Sequence, residues 1–198
     1  DYTKYPVVQC SQYAKNTPVP YVTVDDTQAM RSLVRYLLST GRRRIALING
    51  DKRFIYAKNR FTGYKQTLDE MGIAIDKDLI KYVSSLDCQS AMIAATSLLD
   101  MENPPDAIIG VSDVLALSAM KVAFKKGMKV PQDISIASFD NTNMTVLAEP
   151  SITSISQPRY NMGKEACNML FERMDNPNAK VRQIKLQAEM IIRDSTLL

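Results

Sequence analysis

The side chains best able to do chemistry in this chain are carboxylates and hydroxyls that have no histidine to work with. Asp25-Asp26, Ser112-Asp113 and Asp140-Asn141 each follow a short apolar run, and none of the 198 residues is histidine. Histidine is the commonest general base and the commonest metal ligand, so its absence weighs against hydrolase and metalloenzyme chemistry together. A nucleophilic hydrolase also needs a Gly-x-Ser-x-Gly elbow and a dinucleotide enzyme a Gly-x-Gly-x-x-Gly turn, and the seven glycines form neither. In an extended segment Asp25 and Asp26 point to opposite sides, which disqualifies them as an acid–base pair. Binding chemistry remains. A carboxylate such as Asp140 can accept two hydroxyl hydrogen bonds from a ribose or hexose, and the same group suits the N-cap of the segment after it. No enzyme activity, cofactor or metal is expected.

Composition sets the frame for those residues. With 45% hydrophobic residues, the chain can bury a core as one large domain or two small ones. It has no run of about 18 apolar residues, and its first residues lack both a charged and an apolar leader region, so neither membrane insertion nor secretion is supported. Cys10, Cys88 and Cys167 lie far apart without metal-ligand spacing, which fits a reducing, cytoplasmic setting. The net charge of +4 is small for 25 basic and 21 acidic residues and does not itself indicate nucleic acid. Its densest cluster, Arg42-Arg43-Arg44, reads either as a phosphate-binding patch or as a solvated helix-to-strand turn.

Short apolar runs alternate with amphipathic stretches, the pattern of strands joined through helices into a parallel sheet. The first unit runs from the strand Tyr21–Val24 through a helix with Met30, Leu33, Val34, Leu37 and Leu38 at helical spacing, stopped by Gly41, to the strand Ile45–Gly50. Helices from about Asn59, Cys88 and Asp113 follow, with strands at Leu79–Val83, Ala107–Val111 and Ile134–Phe139. Beyond them, Ile152–Ile155 reads as a strand, Met162–Met174 as a helix and Gln183–Ile192 as a strand or two. Pro6–Cys10 reads as a lone strand that needs neighbours. In doubly wound sheets ligands bind at the carboxyl ends of the strands, which picks out residues 49–56, 84–87, 112–113 and 140–141 as a rim.

An ordered set of motifs along the chain resembles the LacI/GalR family of repressors. The set includes Val24-Asp25-Asp26, Arg60-Phe61-Thr62-Gly63-Tyr64, Ser112-Asp113-Val114, Phe139-Asp140-Asn141, Gln157-Pro158-Arg159-Tyr160 and Ile192-Arg193-Asp194-Ser195-Thr196. Within that family the sequence is most similar to the cytidine-sensing branch. The resemblance implies an α/β fold of the periplasmic-binding-protein type, with doubly wound parallel sheets, a nearly complete C-terminal subdomain (20–152 and 179–198) and a partial N-terminal one (1–19 and 153–178). It further implies a small-molecule effector, a nucleoside or sugar, held in a cleft between subdomains. DNA operator binding would come through a headpiece that these residues do not include, in a homodimer. A periplasmic-type solute-binding protein is the alternative.

The same resemblance assigns roles. Arg60 matches a family arginine that reaches the ligand, a task suited to the fixed fork of a guanidinium, although a surface arginine on the first helical turn is the plain alternative. Ser112 stands where relatives carry a ligand-contacting asparagine, and it equally suits a helix N-cap. Phe54 and Tyr56 can stack on a base or sugar face or simply pack a loop. Ser85 replaces an aromatic on which purine- and cytidine-sensing members stack a base, so Tyr56, Tyr82 or Leu86 would have to take over. Ser11 and Gln12 match ligand contacts from the N-terminal subdomain.

Overall fold

The computed structural model describes residues 5–197 and resolves them into two compact units. The smaller contains the described residues up to Asp25 together with Gln157–Ala188, and the larger contains Asp26–Ser156 with the described residues from Glu189 on.

In the smaller unit, β1 (Gln9–Cys10) and β2 (Tyr21–Val24) lie parallel with β8 (Gln183–Leu186) in the order β1-β2-β8. Val22 and Val24 bury against Met162 and Met169 of helix α6 (Arg159–Asp175). The predicted lone strand is therefore shorter than Pro6–Cys10, and it finds its neighbour in β2.

The larger unit carries β3 (Ile45–Asn49), β4 (Ile80–Tyr82), β5 (Ala107–Gly110), β6 (Ser135–Asp140), β7 (Thr153–Ser156) and β9 (Glu189–Ile191). They form one sheet in the order β4-β3-β5-β6-β7-β9, parallel throughout except for the antiparallel β9. Every residue of β3 and β5 is buried, as strands covered on both faces must be. Helices α1 (Asp26–Ser39) and α2 (Ile55–Glu70) pack on each other, as do α3 (Cys88–Leu99) and α4 (Asp113–Lys125); a short α5 (Asn143–Leu147) follows β6. The sequence-read apolar stripe of α1 is the buried one, and the helix ends where Gly41 takes φ +93°, with its N–H donating to the Leu38 carbonyl and that of Arg42 to the Leu37 carbonyl. Gly63 lets α2 approach α1, since a Cβ there would stand 2.3 Å from the Thr27 carbonyl oxygen. Among the described residues no helix is long and apolar enough to cross a membrane, and no group of side chains is arranged to hold a metal ion.

Three expectations need correction. The strand Tyr21–Val24 does not share a sheet with Ile45–Asn49, and Thr153–Ser156 pairs with β6 and β9 in the larger unit. The chain therefore crosses after Asp25, Ser156 and Ala188, and not at 19/20, 152/153 and 178/179. An apolar run specifies that a strand is buried but not which strand it pairs with, because pairing partners lie far away in sequence. The arginine triplet stands in the helix-to-strand turn between α1 and β3 with Arg43 exposed, as the turn reading has it, but its guanidinium groups are committed within the unit. Arg42 is buried and donates to the Ser135 hydroxyl (3.0 Å) and the Pro131 carbonyl; Arg43 donates to the Leu38 carbonyl (2.7 Å); Arg44 donates to the Asn103 carbonyl (2.8 Å) and pairs with Asp76 (2.9 Å). Together they tie the end of α1 to the amino-terminal edge of the sheet.

Candidate functional site

The order of the sheet places β4 beside β3 and β6 beside β5, so the connections leaving the neighbouring strands β3 and β5 run in opposite directions and open a crevice at their carboxyl ends. Arg60 projects there from α2. Its side chain is only 5% exposed; Nε donates to Asp26 Oδ1 at 2.7 Å and Nη1 to the Val111 carbonyl at 2.6 Å. The guanidinium lies over the Phe139 ring, 4.0 Å from its centroid, with the Tyr56 ring at 5.1 Å. Phe54, 45% exposed, continues the layer with its ring stacked on Tyr56 at 5.7 Å. The four side chains thus form a continuous layer of rings and one cation, in which each contact favours the next. Its position is set by Gly50, because the Tyr56 hydroxyl occupies the space that a Cβ at 50 would need.

Asp140 ends β6 on the same rim, with φ +97° followed by φ +51° at Asn141. Left-handed geometry at two successive residues other than glycine is costly and must be held by its surroundings. The holders are identifiable. Arg193 donates to Asn141 Oδ1 (2.7 Å) and to the Ile152 carbonyl (2.7 Å), while Asn141 Nδ2 donates to the Ser156 hydroxyl (3.2 Å). Buried Asp113 accepts from the Ser138 hydroxyl (2.7 Å) and from the Thr142 N–H (2.6 Å), tying α4 to the end of β6. Burial lifts the Tyr56 phenol above its ordinary range, with Asp140, Asp51 and Asp26 pushing the same way against Arg60. Tyr56 therefore stays a neutral hydroxyl donor at neutral pH.

A family model described as a periplasmic binding protein-like domain matches residues 34–196. The solved structure of a putative transcriptional regulator of LacI family from Sanguibacter keddieii superposes with a TM-score of 0.89 at 30% identity, covering 96% of this chain and 72% of that one. The chain belongs to the LacI family. It is also similar to the transcriptional repressor CytR of Escherichia coli K12, 35% identical over 96% of this chain and 56% of that protein. A transcriptional regulator CelR–cellobiose complex superposes with a TM-score of 0.88 at 29% identity, over 95% of this chain and 57% of that one. The chain spans little more than half the length of such curated relatives.

Against this LacI-family frame, the structure brings Arg60, Tyr56, Phe54 and Asp140 onto one rim of the larger unit, with Ser112 directly after Val111, whose carbonyl accepts from Arg60. Ser112 is the N-cap of α4, its hydroxyl accepting from the Leu115 N–H at 3.4 Å. Ser85 is exposed and lies two residues before Asp87, the N-cap of α3, whose carboxyl sits below its usual range chiefly through the Ser90 N–H. Tyr82, one proposed substitute for the missing aromatic, has Lys52 Nζ 4.2 Å above its ring. Ser11 and Gln12 lie exposed at the end of β1 in the smaller unit, where the Ser11 carbonyl accepts from the Thr23 hydroxyl at 2.9 Å. Sequence reasoning missed Asp26 as the partner of Arg60, Phe139 as its platform and Arg193 as the brace of the Asp140 corner. All three stand inside the quoted motifs, but nothing local couples Asp26 to Arg60 across 34 residues.

Proposed function

We propose that the larger unit forms one wall of the effector site of a DNA-binding transcriptional repressor and takes a small polar ligand, a sugar or nucleoside, at the carboxyl ends of β3, β5 and β6. The observation that carries this reading is the stacked pair Phe54–Tyr56 beside Asp140, aromatic surface backed by buried Arg60 and Phe139 and next to a fixed hydroxyl acceptor. A pyranose or nucleoside offers the complementary pair, one flat face and a rim of hydroxyls. The solved relative in complex with cellobiose supports a sugar as the first candidate.

Two of the five guanidinium donors of Arg60 are committed inside the unit, so its first task is to hold the platform and its second to present its remaining edge. Ser112 contributes as the helix cap behind the rim. In the whole protein, a headpiece outside these residues reads the operator as part of a homodimer. Effector binding changes operator affinity only as far as the ligand prefers one global state.

Isothermal titration with cellobiose, ribose, cytidine and adenosine tests the assignment. At least one ligand is expected to bind, and Asp140→Asn is expected to weaken it by about tenfold or more, equivalent to ~1.4 kcal/mol. Phe54→Ala is expected to weaken it less. An affinity that neither substitution moves would show that the ligand sits elsewhere.

A further inference from the structure

On α2, Phe61 follows Arg60 and faces roughly 100° away around the helix axis. It looks onto a cavity of about 640 Å³ between α2, the segment at Lys77 and the edge strand β4, lined by Lys52, Lys58, Lys77, Phe61, Ile80 and Tyr82 among others. This volume lies within the range of small-molecule sites. Its floor is aromatic, with the rings of Phe61 and Tyr82 inclined at 59° and 6.4 Å apart. Its rim is cationic. No carboxylate lines it, and among the described residues none of the three lysines forms an ion pair. Of the nearest acids in sequence, Asp51 is paired with Arg53 (2.8 Å) and Asp76 with Arg44 (2.9 Å), while Asp78, next to Lys77, is exposed and is not among the residues that line the cavity. A charge on the ligand would therefore meet three like-signed groups and no carboxylate in the lining.

We infer that this cavity is a second ligand site, separate from the effector rim, for an organic anion with a flat apolar body and a carboxylate or phosphate head. The body would pack on Phe61, Ile80 and Tyr82, and the head would sit among the ammonium groups. Lysine suits this because its ammonium is a mobile point charge that needs no fixed fork geometry. Lys52 already rests on the Tyr82 face at 4.2 Å, so an incoming ring can displace it toward the head group without breaking an ion pair. The inference does not depend on the identity of the effector.

The test is isothermal titration of the chain with naphthalene-2-carboxylate, 2-naphthyl phosphate and uncharged 2-naphthol, at low and high salt. One site per chain is expected for the anions, with 2-naphthol at least about tenfold weaker and with anion affinity falling as salt rises. The double variant Lys58→Gln/Lys77→Gln, its fold checked by circular dichroism, is expected to lose about tenfold in anion affinity while 2-naphthol is unaffected. The better-bound of the two anions identifies the head group. Asp140→Asn is expected to change none of these values. No saturable binding up to millimolar anion, equal affinity in the lysine double variant, or loss of binding in Asp140→Asn would each overturn the assignment.

Discussion

Two sets of three cations lie in the larger unit, and they are opposites. Arg42, Arg43 and Arg44 are adjacent in sequence, and each guanidinium is tied down by carbonyls, a serine hydroxyl or Asp76. Lys52, Lys58 and Lys77 are scattered through the sequence, yet they converge on one cavity with no carboxylate partner among the described residues. Density of charge along a chain therefore says little about availability. An arginine fork beside a helix C-terminus finds carbonyl acceptors within reach, whereas a lysine on an open face is satisfied by water.

That contrast can be broken by substitution. The strongest case for a committed cation is Arg60, and Arg60→Ala would take the guanidinium away from buried Asp26, with an expected loss of about 3–5 kcal/mol in urea unfolding. A loss below about 1 kcal/mol would mean that the pair is not what fixes the platform. Arg42→Ala comes next, since it abandons the Pro131 carbonyl and the Ser135 hydroxyl in the interior, and the expected cost is about 2–3 kcal/mol with no change in naphthyl-anion affinity. Lys58→Gln/Lys77→Gln should move stability by no more than about 0.5 kcal/mol in either direction, which separates the exposed lysines from the committed arginines.

The smallest effect is on pH dependence. The Asp76 carboxyl is held below its usual range, first by the Asp78 N–H and then by Arg44. A depressed folded-state value adds stability above the unfolded value of about 3.9, and this contribution is lost as pH falls through the folded value. Wild type should therefore exceed Asp76→Asn in unfolding midpoint at neutral pH, and the gap should close as the pH falls below about 4. A gap that stays constant in acid would remove the Arg44–Asp76 contact from the account.

Local periodicity found the elements of this protein because a buried stripe or an all-apolar strand is written in consecutive residues. Met30, Leu33, Val34 and Leu37 gave α1, Gly41 gave its end, and the runs at Ile45–Asn49 and Ala107–Gly110 gave central strands. The rim was legible to the same degree, since strand ends are where a doubly wound sheet binds ligands, and Arg60, Tyr56, Phe54 and Asp140 fall there. The absence of histidine and of glycine-rich turns directed the reading toward binding before any fold was known.

Tertiary structure decided what depends on distant partners. It moved Tyr21–Val24 into a different sheet from Ile45–Asn49, joined Arg60 to Asp26, and turned the arginine triplet into a brace. It also assembled the lysine cavity from α2 and an edge strand that share no local motif. Strand pairing and side-chain hydrogen bonds are contacts between residues tens of positions apart, and a sequence pattern encodes only what each segment buries, not what it buries against.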